Sequence, residues 1–229
     1  MPTILALETS SELASVALLH DGRLIAREAP GVQTHSQTLL PMVQQLLAEC
    51  GIGLARCDAI AFGSGPGSFT GVRTACGVAQ GLAFGADLPV VPVVTLAAMA
   101  QACRDKARVS DVVAILDARM NEVYWAQYRH DGSEWGVVTA PTLSLAAEVI
   151  PVGDAMACGN GLTAYASQLG HLHRDSACSG LMPHAGPVAA LAQTAFQKGV
   201  VMHARDARPL YLRNKVALTT EERRAKVAA

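Results

Sequence analysis

Residues 63–74 read GSGPGSFTGVRT. An apolar run, CDAIAF, leads into these glycines, and helical spacing from Thr70 to Phe84 follows them. The stretch is therefore a strand-to-helix junction, and two structures would produce it. In a phosphate loop, backbone N–H groups converge on an anion at a helix N-terminus, where the helix dipole also favours negative charge. No lysine follows the last glycine, as GxxxxGK[ST] requires, and no GxGxxG stands in the spacing of a dinucleotide fold. By mechanism the better reading is a tight turn carrying a buried strand into a helix.

The helix after the turn is unusually small-sided, with Gly71, Ala75, Gly77, Ala79 and Gly81. Each interior glycine costs a helix about 1 kcal/mol relative to alanine. Such a sequence fits a helix that something approaches closely. Gly77 and Gly81, four apart, lie one above the other. Spacing alone does not decide whether the neighbour is a partner's helix or the protein's own.

Upstream, ILALETSS (4–11) starts as an apolar strand and ends in hydroxyls. SVALLHDGRLIAREA (15–29) reads as a hairpin about Asp21-Gly22, a dipeptide that supplies positive φ at a two-residue turn. From Thr34 to Cys50, Leu39, Leu40, Met42, Val43, Leu46 and Leu47 cover an arc of roughly 160°, wider than one core contact needs. Pro41 either begins the regular part of that helix or kinks it. Downstream, PVVPV (89–93) is a strand and Leu96 to Lys106 a helix. The order β-β-β-α-β-α-β-α predicts a mixed five-stranded sheet with helices on its faces. A second β-rich region opens near Val109, with two strands about a turn at Ala118 to Asn121. In its second strand Val123 and Trp125 alternate with Tyr124 and Tyr128. Beyond Ser144 the pattern weakens to helices expected near 144–149, 162–169 and 187–198, and a polar tail, TTEERRAKVAA, expected to fray.

Eighteen Lys and Arg against nineteen Asp and Glu leave a net charge of −1, so no basic field grips RNA or DNA unaided. Apolar residues make up 51% and charged residues 16%, an excess that a partner could cover. The six cysteines form no CxxC pair and read as small core residues. With no basic, apolar leader and no stretch of about 20 apolar residues, the expected location is the cytoplasm, with no membrane contact.

ILALETSS, THSQTLLPMVQQLL, AFGSGPGSFTGVRTACGVAQGLAFG, LPVVPVVTLAAMAQA, LDARMNEVYWAQY and PLYLRNKVA together resemble the TsaB (YeaZ) family, over residues 3–217. Its members are partners in making threonylcarbamoyl-adenosine in tRNA. The resemblance implies an α/β, actin-like ATPase fold of two lobes on ribonuclease-H-like sheets, the second lobe reduced. The expected divisions are 1–108, 109–217 and a tail at 218–229. The family is similar to TsaD, the catalytic protein of the pathway, which carries two metal-binding histidines four apart. The matching positions here hold Thr95 and Met99, neither suited to such a metal. Glu8-Thr9-Ser10-Ser11 stands where actin-like kinases orient Mg-ATP, so unaided ATP hydrolysis is not expected.

These absences point to a non-catalytic subunit without a metal or catalytic residue of its own. The resemblance implies a heterodimer with TsaD, TsaE joining a larger complex, a homodimer when alone, and tRNA engaged only through the complex. TsaD would then place threonylcarbamoyl on adenosine 37 of tRNAs reading codons that begin with A. The expected interface is Leu39, Leu40, Val43, Leu47, Ala75, Val78 and Leu82, burying roughly 1,600 Å² in total. Thr9, Ser10 and Arg73 are weaker candidates for a nucleotide or partner contact, ATP or ADP being bound in the complex if anywhere. Asp117 and Glu122 flank a turn and suit capping better than acid–base work. His171 and His173 share a face only on a strand, and His35 suits a cap or a partner contact. The competing reading is a stand-alone kinase or metallopeptidase-like hydrolase on the same fold. A direct tRNA binder conflicts with the near-neutral charge.

Overall fold

The computed structural model describes residues 1–30, 35–172 and 176–213. The expected tail at 218–229 lies outside the described residues, as does His173. The first lobe is built on β1 (Ile4–Glu8), β2 (Leu13–His20), β3 (Arg23–Pro30), α1 (His35–Glu49), β4 (Ala59–Gly65), α2 (Phe69–Ala86), β5 (Val90–Val94) and α3 (Thr95–Ala107). Its five strands run β3-β2-β1-β4-β5. The pairs β1–β2 and β2–β3 are antiparallel; β4 lies parallel to both β1 and β5. Asp21 (φ 48°) and Gly22 (φ 75°) turn the first hairpin as the dipeptide predicts. The helix α1 continues unbroken through Pro41, which is exposed.

Period-two alternation divides the strands between two cores. Leu5, Leu7, Ile60 and Phe62 face α1 and α2, whose Leu39, Val43, Leu46, Ala75 and Ala79 meet them. Ile4, Ala6, Ala59 and Ala61 line the opposite face. The small side chains on that face let a helix approach closely.

The second lobe holds β6 (Asp111–Arg119), β7 (Glu122–His130), β8 (Trp135–Leu145) and β9 (Met156–Cys158), in the order β8-β7-β6-β9. This repeats the first sheet without its fifth strand, for in both a three-stranded antiparallel run is followed by a parallel neighbour. Val123 and Trp125 enter one core, while Tyr124 and Tyr128 face the other. The helix expected at 144–149 is instead the end of β8 followed by a single 3-10 turn, Ala146–Glu148. Since no residue of β8 is fully buried, it carries no alternation to read. Short helices α4 (Gly161–Ala164), α5 (Ala166–Leu169) and α6 (Ser176–Ser179) precede α7 (Ala185–Gln197).

The expected division 109–217 requires correction at α7. Its Ala185, Val188, Ala189 and Ala192 pack on the alanine-lined face of the first sheet, and Ala185 N–H donates to Ser15 Oγ at 2.9 Å. After it the chain returns to the first lobe, where Met202 bridges Val90 and Leu210 N–H donates to the Ser64 carbonyl at 2.7 Å, before Arg213 reaches across to the second. The helix α3 joins the lobes, with Ala98 against the alanine-lined face of the first sheet and Leu96, Met99, Ala100 and Cys103 in a core of the second lobe. Among the described residues no helix is long and apolar enough to cross a membrane.

Candidate functional site

The glycines of the 63–74 turn face the end of β1. A Cβ on Gly63 would stand 1.8 Å from Glu8 Oε2, one on Gly67 2.4 Å from the Ser10 carbonyl, and one on Gly71 1.9 Å from the Thr9 carbonyl. Three glycines spaced by four thus allow the turn to close on Glu8-Thr9-Ser10. The turn's hydrogen bonds also go to the protein. Ser68 N–H donates to the Ser10 carbonyl at 2.7 Å, Thr9 Oγ1 to the Gly71 carbonyl at 2.7 Å, and Gly65 N–H to Thr95 Oγ1 at 3.1 Å. Gly71 N–H is capped by Ser68 Oγ at 3.4 Å.

Glu8 is wholly buried within this turn. Its Oε1 accepts from Ser10 N–H at 2.6 Å and its Oε2 from Thr95 Oγ1 at 3.3 Å. Burial pushes its carboxyl above the usual carboxylate range, against the lowering effect of these hydrogen bonds. Met99, the other position matched to a metal histidine, is in a core of the second lobe with its methyl against Gly159. Among the described residues no three His, Cys, Asp or Glu side chains are grouped so as to hold a metal ion.

Of the three weaker candidates, Thr9 is buried and hydrogen-bonded internally, and Ser10 borders the interlobe cleft with 2% of its surface exposed. Arg73 is exposed at the cleft's lip. Its guanidinium lies 3.5 Å from the Phe69 ring centroid, and its Nε donates to Tyr211 Oη at 2.8 Å. The cleft, of about 570 Å³, is bordered by Phe69, Arg73 and Tyr211 on one side and Asp117, Arg119 and Tyr124 on the other. Sequence reasoning missed both aromatic neighbours of Arg73: Tyr211 lies far along the chain, but Phe69, four residues earlier on the same helix, was an available signal.

Asp117 caps the β6–β7 turn, accepting from Arg119 N–H at 2.7 Å and Tyr165 Oη at 2.8 Å. Glu122 pairs with Arg213 Nη1 at 2.6 Å. Arg119, Met120 and Asn121 are three successive left-handed residues, a conformation costly for side chains other than glycine. Arg213 braces them by donating to the Ala118 carbonyl at 2.9 Å. The remaining histidines stand apart: His171 is exposed, His184 caps α7, and His35 is buried at the start of α1.

The expected interface residues divide by burial. Leu39, Val43, Leu47 and Ala75 fill the first core, so they support the outer surface rather than form it. Leu40 is 43% exposed, and Val78 and Leu82 are partly buried against that core. Two further residues belong to this surface. Phe84 is 84% exposed, and Gly85 extends the spacing of Gly77 and Gly81 by another turn. Nothing lies within 4 Å of the Cβ position at any of the three glycines. The fourfold spacing from 77 through 85 was the available signal.

The family model for TsaD, tRNA N6-adenosine threonylcarbamoyltransferase, matches residues 28–220. The tRNA threonylcarbamoyladenosine biosynthesis protein TsaB of Haemophilus influenzae is 42% identical, covering 93% of this chain and 94% of its own. TsaB of Escherichia coli is 40% identical, covering 93% and 96%. The solved structure of YeaZ from Pseudomonas aeruginosa superposes with a TM-score of 0.83 at 40% identity, covering 93% of this chain and all of that one.

Proposed function

The chain belongs to the TsaB (YeaZ) family of tRNA threonylcarbamoyladenosine biosynthesis proteins, and from that membership we propose that it is a non-catalytic subunit that binds and supports TsaD. The two similar sheets, one lacking a strand, support reading the fold as actin-like with a reduced second lobe. The partner surface is the outer face of α1 and α2: Leu40, Val78, Leu82 and Phe84 around the strip Gly77-Gly81-Gly85. The observation that carries this is open space over three glycines in a regular 18-residue helix. A backbone strip without side chains lets a second helix approach closely, and exposed apolar residues beside it reward that approach.

Where a nucleotide-hydrolysing relative would act, this chain closes its own turn on a buried Glu8. Support is therefore structural: docking positions TsaD, which transfers threonylcarbamoyl to N6 of adenosine 37. Alone, the same surface pairs two copies of this chain. TsaE, tRNA and ATP or ADP are engaged through the assembled complex.

Co-purification with the TsaD counterpart tests the reading. The wild-type chain co-elutes with it, and Phe84→Glu, at a largely exposed position of the monomer, weakens or abolishes the complex. Depletion of the chain lowers the modified adenosine measured by nucleoside mass spectrometry. A wild-type chain that never associates with TsaD, or a modification level unmoved by depletion, refutes it.

A further inference from the structure

Three thiols meet in the core of the second lobe. Cys103 on α3, Cys158 on β9 and Cys178 on α6 are each fully buried. The sulfurs of Cys103 and Cys178 are 3.8 Å apart. Cys158 adjoins the same pair, and its thiol is held well above the ordinary value by its hydrogen bond with Cys103, then by burial and by the two neighbouring sulfurs. One buried thiol is an ordinary small core residue. Three brought together from separate elements form a group within reach of disulfide chemistry, although they are not arranged as a metal site.

We propose that Cys103 and Cys178 form a reversible disulfide when the chain meets a hydroperoxide, with the opening of α6 admitting the oxidant. Closed, the site excludes any reagent. The helix α6 is a single turn of four residues, too short to be stable by itself, and exposed Gly180 follows it. It is the cover that opens at least cost. In the open state the Cys178 sulfur attacks the peroxide, whose O–O bond breaks, leaving a sulfenic acid and releasing one water. On closing, Cys103 sulfur attacks the sulfenic sulfur, the S–O bond breaks, and the departing hydroxide takes the Cys103 proton as a second water. Two thiols and one hydrogen peroxide become one disulfide and two waters. A dithiol reductant reverses the change by exchange.

The bond would tie α6 to the helix shared by both lobes. Beyond α6 the chain passes through Leu181, packed on the same core, to Met182 on the wall of the cleft. Oxidation would thereby hold one cleft wall against α3. This inference is independent of the proposed partnership with TsaD.

The test treats the reduced full-length chain with hydrogen peroxide, blocks remaining thiols with N-ethylmaleimide, digests without reductant and maps peptides by mass spectrometry. The expected product is a Cys103–Cys178 linked pair, two hydrogens lighter than its separate peptides, lost with dithiothreitol and still formed in Cys158→Ser. Under native conditions, iodoacetamide should label Cys178 several-fold faster than Cys103 or Cys158. Recovery of Cys103 and Cys178 unlinked, or linkage through Cys158 or the partly exposed Cys50 instead, overturns the pairing. Equal labelling of all three overturns the role of α6. Both measurements can be read on the wild-type chain, so a variant that fails to fold leaves neither undecided.

Discussion

Replacing Gly81 with leucine should move monomer stability and partner binding in opposite directions. The new side chain meets nothing within 4 Å of its Cβ in the monomer, and the position lies within α2, several residues before its Asp87 cap. With open space at the Cβ position, helix propensity is the main effect on the fold. Exchanging an interior glycine for leucine gains about 0.7 kcal/mol, which for a chain of this size raises the melting temperature by roughly 2 °C. At a seam of closely packed helices the same side chain overfills the contact, at a cost of about 1–3 kcal/mol, or roughly five- to 150-fold in Kd. Calorimetric melting of dilute protein, where pairing is minimal, reads the first effect. Titration calorimetry against the TsaD counterpart reads the second, with Gly81→Ala as the intermediate case. A destabilised monomer would mean that the glycine serves the chain's own packing. Unchanged affinity with a stabilised monomer would remove the glycine strip from the interface.

Three further predictions concern the turn around Glu8. Gly71→Ala places a methyl against the Thr9 backbone and should destabilise by more than about 3 kcal/mol, whereas the cost of Gly63→Ala, which meets the Glu8 carboxyl, should fall sharply in a Glu8→Ala background; equal costs of Gly63→Ala in both backgrounds, measured by urea denaturation, would exclude that clash. Because burial raises the folded-state pKa of Glu8, the folded chain binds the proton more tightly than the unfolded one, and stability is lost as pH rises from the ordinary carboxylate value through the raised one. Glu8→Gln keeps an acceptor for Ser10 N–H without the buried charge, so it should flatten that decline and be the more stable form at pH 8; a parallel pH profile for variant and wild type would count against a raised pKa.

Much of the fold was legible because its signals are local. The apolar run before Gly63, the glycine turn and the helical spacing after it marked the strand–turn–helix junction. Asp21-Gly22 marked a hairpin, and the alternation of Val123 and Trp125 against Tyr124 and Tyr128 marked the faces of β7. The missing phosphate-loop lysine was also visible. Linked motifs carried the family resemblance along nearly the whole chain.

Packing between distant segments decided the rest. The wide leucine arc of α1 announced an apolar face, but only the sheet beneath it separated Leu39 and Val43, inside, from Leu40, outside. Alanine-rich α7 could have joined either lobe; it chose the face where Ala6, Ala59 and Ala61 leave room. The strand β8, half-exposed along its length, had no alternation to reveal it. Gly63, Gly67 and Gly71 are small because of Glu8, Thr9 and Ser10, while Gly77, Gly81 and Gly85 face open space. In the amino-acid string the two sets look alike, because a residue's own chemistry records how much room it needs and not which distant part of the chain comes near it.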